Sequence, residues 1–376
     1  MSNKWDGIYG QQKVIKILEG FLNSDKKPQA LIFNGSDGVG KDFVATRFSF
    51  LLNLNSQEQI EHINNRFTEP LMKYIFPTPK GKNETKTDGT FDKLTETQIK
   101  SIKSEIQKKK ENPYYELQIA DANVIKINSI REINKFVSMT YDQSSTRTIL
   151  ISDAHKMNDE AQNALLKTLE EPPHGHLFIL TTHEISKLKE TILSRCWTLN
   201  FQPLTAVEIE NILVIYFGID HQTATDVAPF AEGSIQIALH LIENDFNFIK
   251  EKAIIIMRHA MAGKFHTSIK EFNYFLKDDM KSSLLLLLRV ILNWLNEVVR
   301  NRFEIEQNYF SDQVETLQKF NSKFSGTEIN PAIYKIERFI YLLQNNHINL
   351  NILANNIIFE LHSITNTNET KLKFNH

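Results

Sequence analysis

The residues best suited to chemistry form one short run, Gly35-Ser36-Asp37-Gly38-Val39-Gly40-Lys41-Asp42. Its spacing fits the phosphate-loop pattern G-x-x-x-x-G-K and departs from that pattern only in its final residue. Glycines let backbone N–H groups turn inward around phosphate oxygens, and a lysine at this spacing reaches the β- and γ-phosphates. The pattern ends in Ser or Thr, whose hydroxyl ligates Mg²⁺; here Asp42 stands in that place. A carboxylate can touch Mg²⁺ but repels phosphate at close range. Gly35, Gly38, Gly40, Lys41 and Asp42 are therefore expected to form a degenerate nucleotide loop, with occupation by ATP or ADP left open. A second candidate is Asp153, which follows the apolar run Ile149-Leu150-Ile151 and Ser152 and is positioned to hold Mg²⁺ through water. Ala154 comes next and has no group able to act as a base. His155 has one, but a histidine at a strand end is more often structural.

These residues need elements to hold them. Ala30–Phe33 is a short apolar run that ends at the glycine-rich turn, and a helical pattern follows from Asp42 to about Leu54, giving strand, loop and helix. Upstream, Val14, Ile15, Leu18, Phe21 and Leu22 share one face of a helix over Gln11–Leu22. Ser129–Met139 reads as an amphipathic helix, and Ile149–Ile151, Leu177–Leu180 and Trp197–Phe201 read as strands. Asn158 can cap a helix that Pro172-Pro173 ends at Glu171. Strands separated by helices predict a parallel sheet covered on both faces. Residues 57–112 are polar, with Pro77, Pro79, Gly81, Gly89 and the lysine run Lys108–Lys110. They read as an insertion, a loop and then a helix around Thr95–Lys110, with the lysines on a solvated face. From Pro203 onward only helical periodicity remains, first in Thr205–Tyr216, Gln222–Phe230 and Ser234–Glu243, then in longer helices to about Ser363. The expected organisation is an α/β domain over 1–202, a small helical domain over 203–245 and an all-α domain over 246–376.

The bulk numbers fit this plan. A chain of 376 residues, 41% hydrophobic and 23% charged, suits two or three globular domains. A net charge of −2 argues against coating nucleic acid by charge alone. The single cysteine, Cys196, rules out an internal disulfide and any cysteine-rich zinc module. With no apolar stretch at Met1–Asp6 to act as a signal, a reducing, cytoplasmic setting is expected. The longest apolar run, Leu284–Leu288 continued by Val290-Ile291-Leu292, is broken by Arg289 and followed by Asn293, Asn296 and Glu297, so it predicts a buried helix rather than a bilayer span. His174 and His176 flank Gly175 after the proline pair and read as exposed loop histidines; no metal site is expected there.

A longer pattern is more specific than the phosphate loop. Asp153-Ala154-His155-Lys156-Met157-Asn158, then Ala161-Gln162-Asn163-Ala164-Leu165-Leu166-Lys167-Thr168-Leu169-Glu170-Glu171-Pro172-Pro173, and finally Ser194-Arg195-Cys196, closely resemble the clamp-loader subunits of bacterial DNA polymerase III, of the AAA+ P-loop ATPase family. The resemblance covers roughly residues 5–56 and 112–202. It implies a RecA-like α/β domain, a small helical lid and an all-α collar. Ala154 replaces the glutamate that polarises water in hydrolysing members, and Gly233-Ser234-Ile235-Gln236 lacks the arginine of their Gly-Ser-x-Arg lid motif. With Asp42, these departures point to the non-hydrolysing, delta-prime branch of the family.

The same resemblance implies that Arg195 acts as an arginine finger on a neighbouring subunit's ATP, with Ser194 orienting the turn and Cys196 buried. It implies that Gly10-Gln11 borders the adenine pocket and that Thr181-Thr182 ends a sensor strand. Its implied partners are gamma/tau- and delta-type subunits, the sliding clamp and primer–template DNA, with no membrane. Family members often carry a four-cysteine zinc module, and the cysteine-free insertion implies that none exists here. The alternatives left open are an ATP-hydrolysing gamma/tau-type subunit and a non-catalytic scaffold on the same fold.

Overall fold

The computed structural model describes residues 4–24, 27–53, 71–139, 145–276, 281–305, 309–310, 313–345 and 349–366. The chain divides into two compact units, Met1–Ala224 with Glu232–Ile237, and Thr225–Ala231 with Ala238–His376. The chain crosses between them inside 203–245, the stretch expected to form the small helical domain.

The first unit alternates helices and strands. Helix α1 (Gln12–Leu22) leads to strand β1 (Ala30–Asn34), the phosphate-loop residues and helix α2 (Lys41–Leu51). Strand β2 (Met72–Ile75), α3 (Glu96–Glu111), α4 (Ile127–Ser138), β3 (Arg147–Ile151) and α5 (Asp159–Glu170) follow. Strand β4 (His176–Thr182), the single turn α6 (Glu190–Leu193), β5 (Trp197–Asn200) and α7 (Ala206–Phe217) complete it. The sheet order is β2-β3-β4-β1-β5, with every neighbouring pair parallel. Strands β3 and β4 are buried at every residue, which explains why they read as unbroken apolar runs rather than alternating ones. Ile149, Ile151, Phe178 and Leu180 pack with Ile130 and Ile133 of α4 and Ala161 and Leu165 of α5 in one core. Burial of each such Ile, Leu or Phe contributes about 1.5–3 kcal/mol.

The expected insertion holds more structure than its composition suggests. Met72–Ile75 form the edge strand of the main sheet, paired with Thr148–Ile151. Thr95 caps α3 through a capping box with Gln98. Phe76, Leu94 and Ile102 make a small core with Ile99, Ile106, Leu117 and Ile119, which ties α3 to the edge of the sheet. The histidine reading also needs correction. His176 opens β4 and is buried, its ring 6.5 Å from that of Phe136.

After α7 the regular elements among the described residues are helices: α8 (His221–Val227), α9 (Ile235–Glu243), α10 (Phe246–Met261), α11 (Phe265–Phe272), α12 (Lys281–Arg302), α13 (Val314–Lys323), α14 (Asn330–Asn345) and α15 (Leu350–Thr365). By length and composition α12 could cross a bilayer, but Leu284, Leu287, Leu288, Ile291 and Leu295 are buried in the second unit, as in a core helix.

Candidate functional site

Three strand ends converge on the phosphate loop. β1 runs into Gly35, β3 ends just before Ser152 and Asp153, and β4 ends at Thr181 and Thr182. Parallel strands put all three carboxyl ends on one edge of the sheet, where α/β folds bind their ligands. Gly38 and Gly40 have φ of 72° and 86°, a region closed to most other residues. Glycine is required at 38 for space as well, because a Cβ there would lie 2.8 Å from the backbone nitrogens of Ile235 and Gln236. The Gly233–Gln236 segment thus lies directly against the loop. Lys41 is buried and its ammonium turns inward, donating to the carbonyls of Gly35 at 2.7 Å and Ser36 at 2.6 Å. Burial lowers its pKa, with Asp37 foremost among the carboxylates that oppose the shift.

Asp42 is the centre of the arrangement. Its Oδ2 accepts from Ser152 Oγ at 2.7 Å and Tyr74 OH at 3.0 Å, and its Oδ1 accepts from Thr181 Oγ1 at 2.8 Å. Lys109 Nζ of α3 stands 3.6 Å from Oδ2, with both side chains largely buried. Burial alone would raise the Asp42 carboxyl; Lys109 and the three hydroxyls reverse the shift and hold it below the ordinary carboxylate range. The carboxylate that replaces the metal-binding hydroxyl therefore already has a cation and three donors from its own chain. This overturns the reading of Lys108–Lys110 as a wholly solvated face, since Lys109 is 4% exposed. It also gives Thr181 a defined polar partner.

A second carboxylate enters the loop from the segment after α3. Glu116 Oε1 accepts from the backbone N–H of Gly38 at 3.0 Å, in the manner of a phosphate oxygen. Glu105 of α3 fixes that segment, accepting from Tyr115 OH at 2.7 Å and from the N–H of Gln118 at 2.8 Å. Burial and then the charge of Asp37 push the Glu116 carboxyl up to about 7. Asp37 itself pairs with His183, Oδ1 to Nδ1 at 2.6 Å. Desolvation would raise Asp37, but the His183 hydrogen bond and charge keep it below its ordinary value. Asp37, Gly38, Gly40, Lys41, Asp42, Lys109, Glu116 and Asp153 all line one cavity of about 130 Å³.

The remaining expected residues lie elsewhere. Gln11 is buried and its amide pairs with the backbone of Gln202, donating at 2.7 Å and accepting at 2.9 Å. Tyr114, which lines the cavity, accepts from the N–H of Tyr9 at 2.9 Å and stacks edge-on with Phe43 and Tyr216. Ser194 closes α6, its hydroxyl donating to Thr191 O. Cys196 packs against the sheet core, and burial pushes its thiol up to about 12, which leaves it inert. Arg195 donates to Glu170 Oε1 and to Thr191 O, each at 2.8 Å. It precedes β5, whose Trp197 pairs with Leu31 near the start of β1, whereas Gly35 follows the end of β1. Arg195 is thus separated from its own phosphate loop by the length of a strand, on the order of 15 Å.

The fold and the loop define a P-loop protein of the AAA+ type: a five-stranded parallel sheet with flanking helices, followed among the described residues by helices alone. Residues 10–205, more than half of the chain, match the family described as DNA polymerase III, delta subunit, and the chain belongs to that family. Curated relatives agree. A DNA polymerase III subunit gamma/tau of Mycoplasma genitalium is 26% identical over 66% of this chain and 36% of its own length. A subunit gamma of Buchnera aphidicola is 30% identical over 49% of this chain and 53% of its own length. A subunit delta' of the same species is 25% identical over 59% of this chain and 66% of its own length. The chain thus spans only part of the gamma-type relatives.

Proposed function

We propose that this chain is a delta-prime-type subunit of a DNA polymerase III clamp loader, which helps to place the sliding clamp on primed DNA without turning over ATP itself. The observation that carries the reading is the state of Asp42, enclosed by Lys109, Ser152, Thr181 and Tyr74 within hydrogen-bond or ion-pair distance. Nucleotide with Mg²⁺ would have to displace that network, expel Glu116 from Gly38 and bring phosphate beside a buried carboxylate. The position beside Asp153 supplies no base either, since Ala154 occupies it and is fully buried.

In this reading Arg195 serves a neighbour. Arginine suits the role because its planar, permanently charged fork meets γ-phosphate oxygens and stabilises transition-state charge. Its distance from the chain's own loop and its partly exposed position support action across an interface. The reading includes gamma/tau- and delta-type partners, the clamp, primer–template DNA reached through the complex, and a cytoplasmic location. It also keeps the three-part division into α/β domain, helical lid and helical collar. The rival reading, an ATP-hydrolysing gamma/tau-type subunit, draws on the gamma-type relatives. Asp42 and Ala154 count against it.

The test is Arg195→Ala in a loader reconstituted from its subunits. The Arg195–Glu170 pair is partly exposed, so its loss should change stability by no more than about 1 kcal/mol. ATP turnover by the complex should fall by about 10³-fold at the one site served. Turnover equal to that of the unmodified complex would remove the finger and leave a scaffold.

A further inference from the structure

Beside the phosphate loop, Asp153, His155 and His183 converge so that one ligand atom from each lies within 4.8 Å of the other two. We propose that these three side chains form a binding site for a divalent transition-metal ion of the Zn²⁺ class. The proposal is independent of the clamp-loader reading and distinct from Mg²⁺ held with a nucleotide.

The geometry singles out one nitrogen on each ring. His183 Nδ1 is paired with Asp37 Oδ1 at 2.6 Å, and His155 Nδ1 lies 3.2 Å from Thr182 Oγ1. With both Nδ1 atoms held by oxygens, Nε2 is the atom each ring has left to offer. A carboxylate or hydroxyl behind a histidine is the usual support of a metal-bound imidazole, because it fixes the tautomer and the ring orientation. The two ring centroids are 4.1 Å apart at an interplanar angle of 60°, so the rings meet edge to face.

Two imidazoles and a carboxylate favour Zn²⁺, Co²⁺ or Ni²⁺ over Mg²⁺, which prefers oxygen ligands alone. Bonds of about 2.0–2.2 Å around a tetrahedral ion bring ligand atoms to roughly 3.3–3.6 Å from one another. Atoms up to 4.8 Å apart must therefore close in by as much as roughly 1.5 Å. Asp153 and His183 are the partners able to move, with side chains 32% and 29% exposed. Lys156 Nζ competes for Asp153 at 2.8 Å, on a side chain 37% exposed and able to swing into water. Three protein ligands leave a fourth position for water.

The test uses the tag-free full chain, stripped with chelator and titrated with Co²⁺ while visible absorption is recorded, followed by displacement with Zn²⁺. One equivalent of Co²⁺ should give a saturable ligand-field spectrum that Zn²⁺ abolishes. Asp153→Ala and His183→Ala lie at partly exposed positions, and circular dichroism should show both folded. Each should weaken binding at least about 100-fold, and Asp37→Asn, behind the ligand, about 10-fold. His221→Ala, at a side chain 78% exposed and outside the cluster, should change nothing. No saturable spectrum in the unaltered chain, or a spectrum retained in both Asp153→Ala and His183→Ala, overturns the proposal.

Discussion

Replacing Lys109 by methionine tests the electrostatic heart of the phosphate loop. Methionine keeps most of the side-chain volume and the contacts of α3, and removes only the ammonium 3.6 Å from Asp42 Oδ2. At an effective dielectric of 20, two unit charges at that distance attract by about 4–5 kcal/mol. The net contribution is smaller, because both groups lose hydration on burial. Removing one partner of a buried pair typically costs about 3–5 kcal/mol, since the other charge is left uncompensated. Here three hydroxyls still serve Asp42, so we expect about 2–3 kcal/mol for Lys109→Met. The double variant Lys109→Met with Asp42→Asn should recover at least half of that loss, because no charge is then buried alone. Urea unfolding read by tryptophan fluorescence in a Trp294→Phe background is the assay. Its reporters, Trp5 and Trp197, then both lie in the first compact unit. A change below about 0.5 kcal/mol for Lys109→Met, the size expected at an ordinary surface position, would refute the reasoning.

Two further outcomes follow from the same site. Glu116→Gln keeps an acceptor for Gly38 but removes an acid whose carboxyl is raised from 4.5 to about 7. A raised acid binds more protons folded than unfolded between those values, so it makes stability fall as pH climbs from 4.5 through about 7. At 1.36 kcal/mol per unit the full shift is about 3 kcal/mol, and the partly exposed edge of the side chain reduces this to about 1–2. The variant should therefore be more stable than the unaltered chain at pH 8 and equal to it at pH 4.5, as denaturant midpoints across pH would show. Gly38→Ala should destabilise the first unit by about 1–3 kcal/mol. It forces a side chain into φ 72° and against the backbone of Ile235 and Gln236, and thermal unfolding that matches the unaltered chain would contradict this.

Much of the first unit was legible in the sequence because its buried strands are contiguous apolar runs. Ile149–Ile151 and Leu177–Leu180 cannot be hidden among polar residues, and Asn158 with Pro172-Pro173 marks α5 at both ends. Strand β2 escaped notice because it is four residues long and lies between a polar stretch and Pro77. Lys109 escaped for a different reason: inside a lysine run, composition is the same for a buried and a solvated residue. The signal was spacing, since Ile102, Glu105 and Lys109 share the buried face of α3. A further signal was Asp42, whose buried carboxylate needs a cation. The Asp153, His155 and His183 cluster was not legible at all. It depends on β3 and β4 being parallel neighbours, which brings residues just beyond the ends of both strands together. Histidines so far apart in sequence give no sign of that meeting.

The central claim, a phosphate loop filled by its own chain and incapable of turnover, is tested most directly by titrating the purified chain with a fluorescent ATP analogue and Mg²⁺ and then measuring phosphate release. The account predicts no saturation below millimolar nucleotide and no release above the rate without protein. Micromolar affinity with steady phosphate release, both abolished by Lys41→Ala, would contradict it.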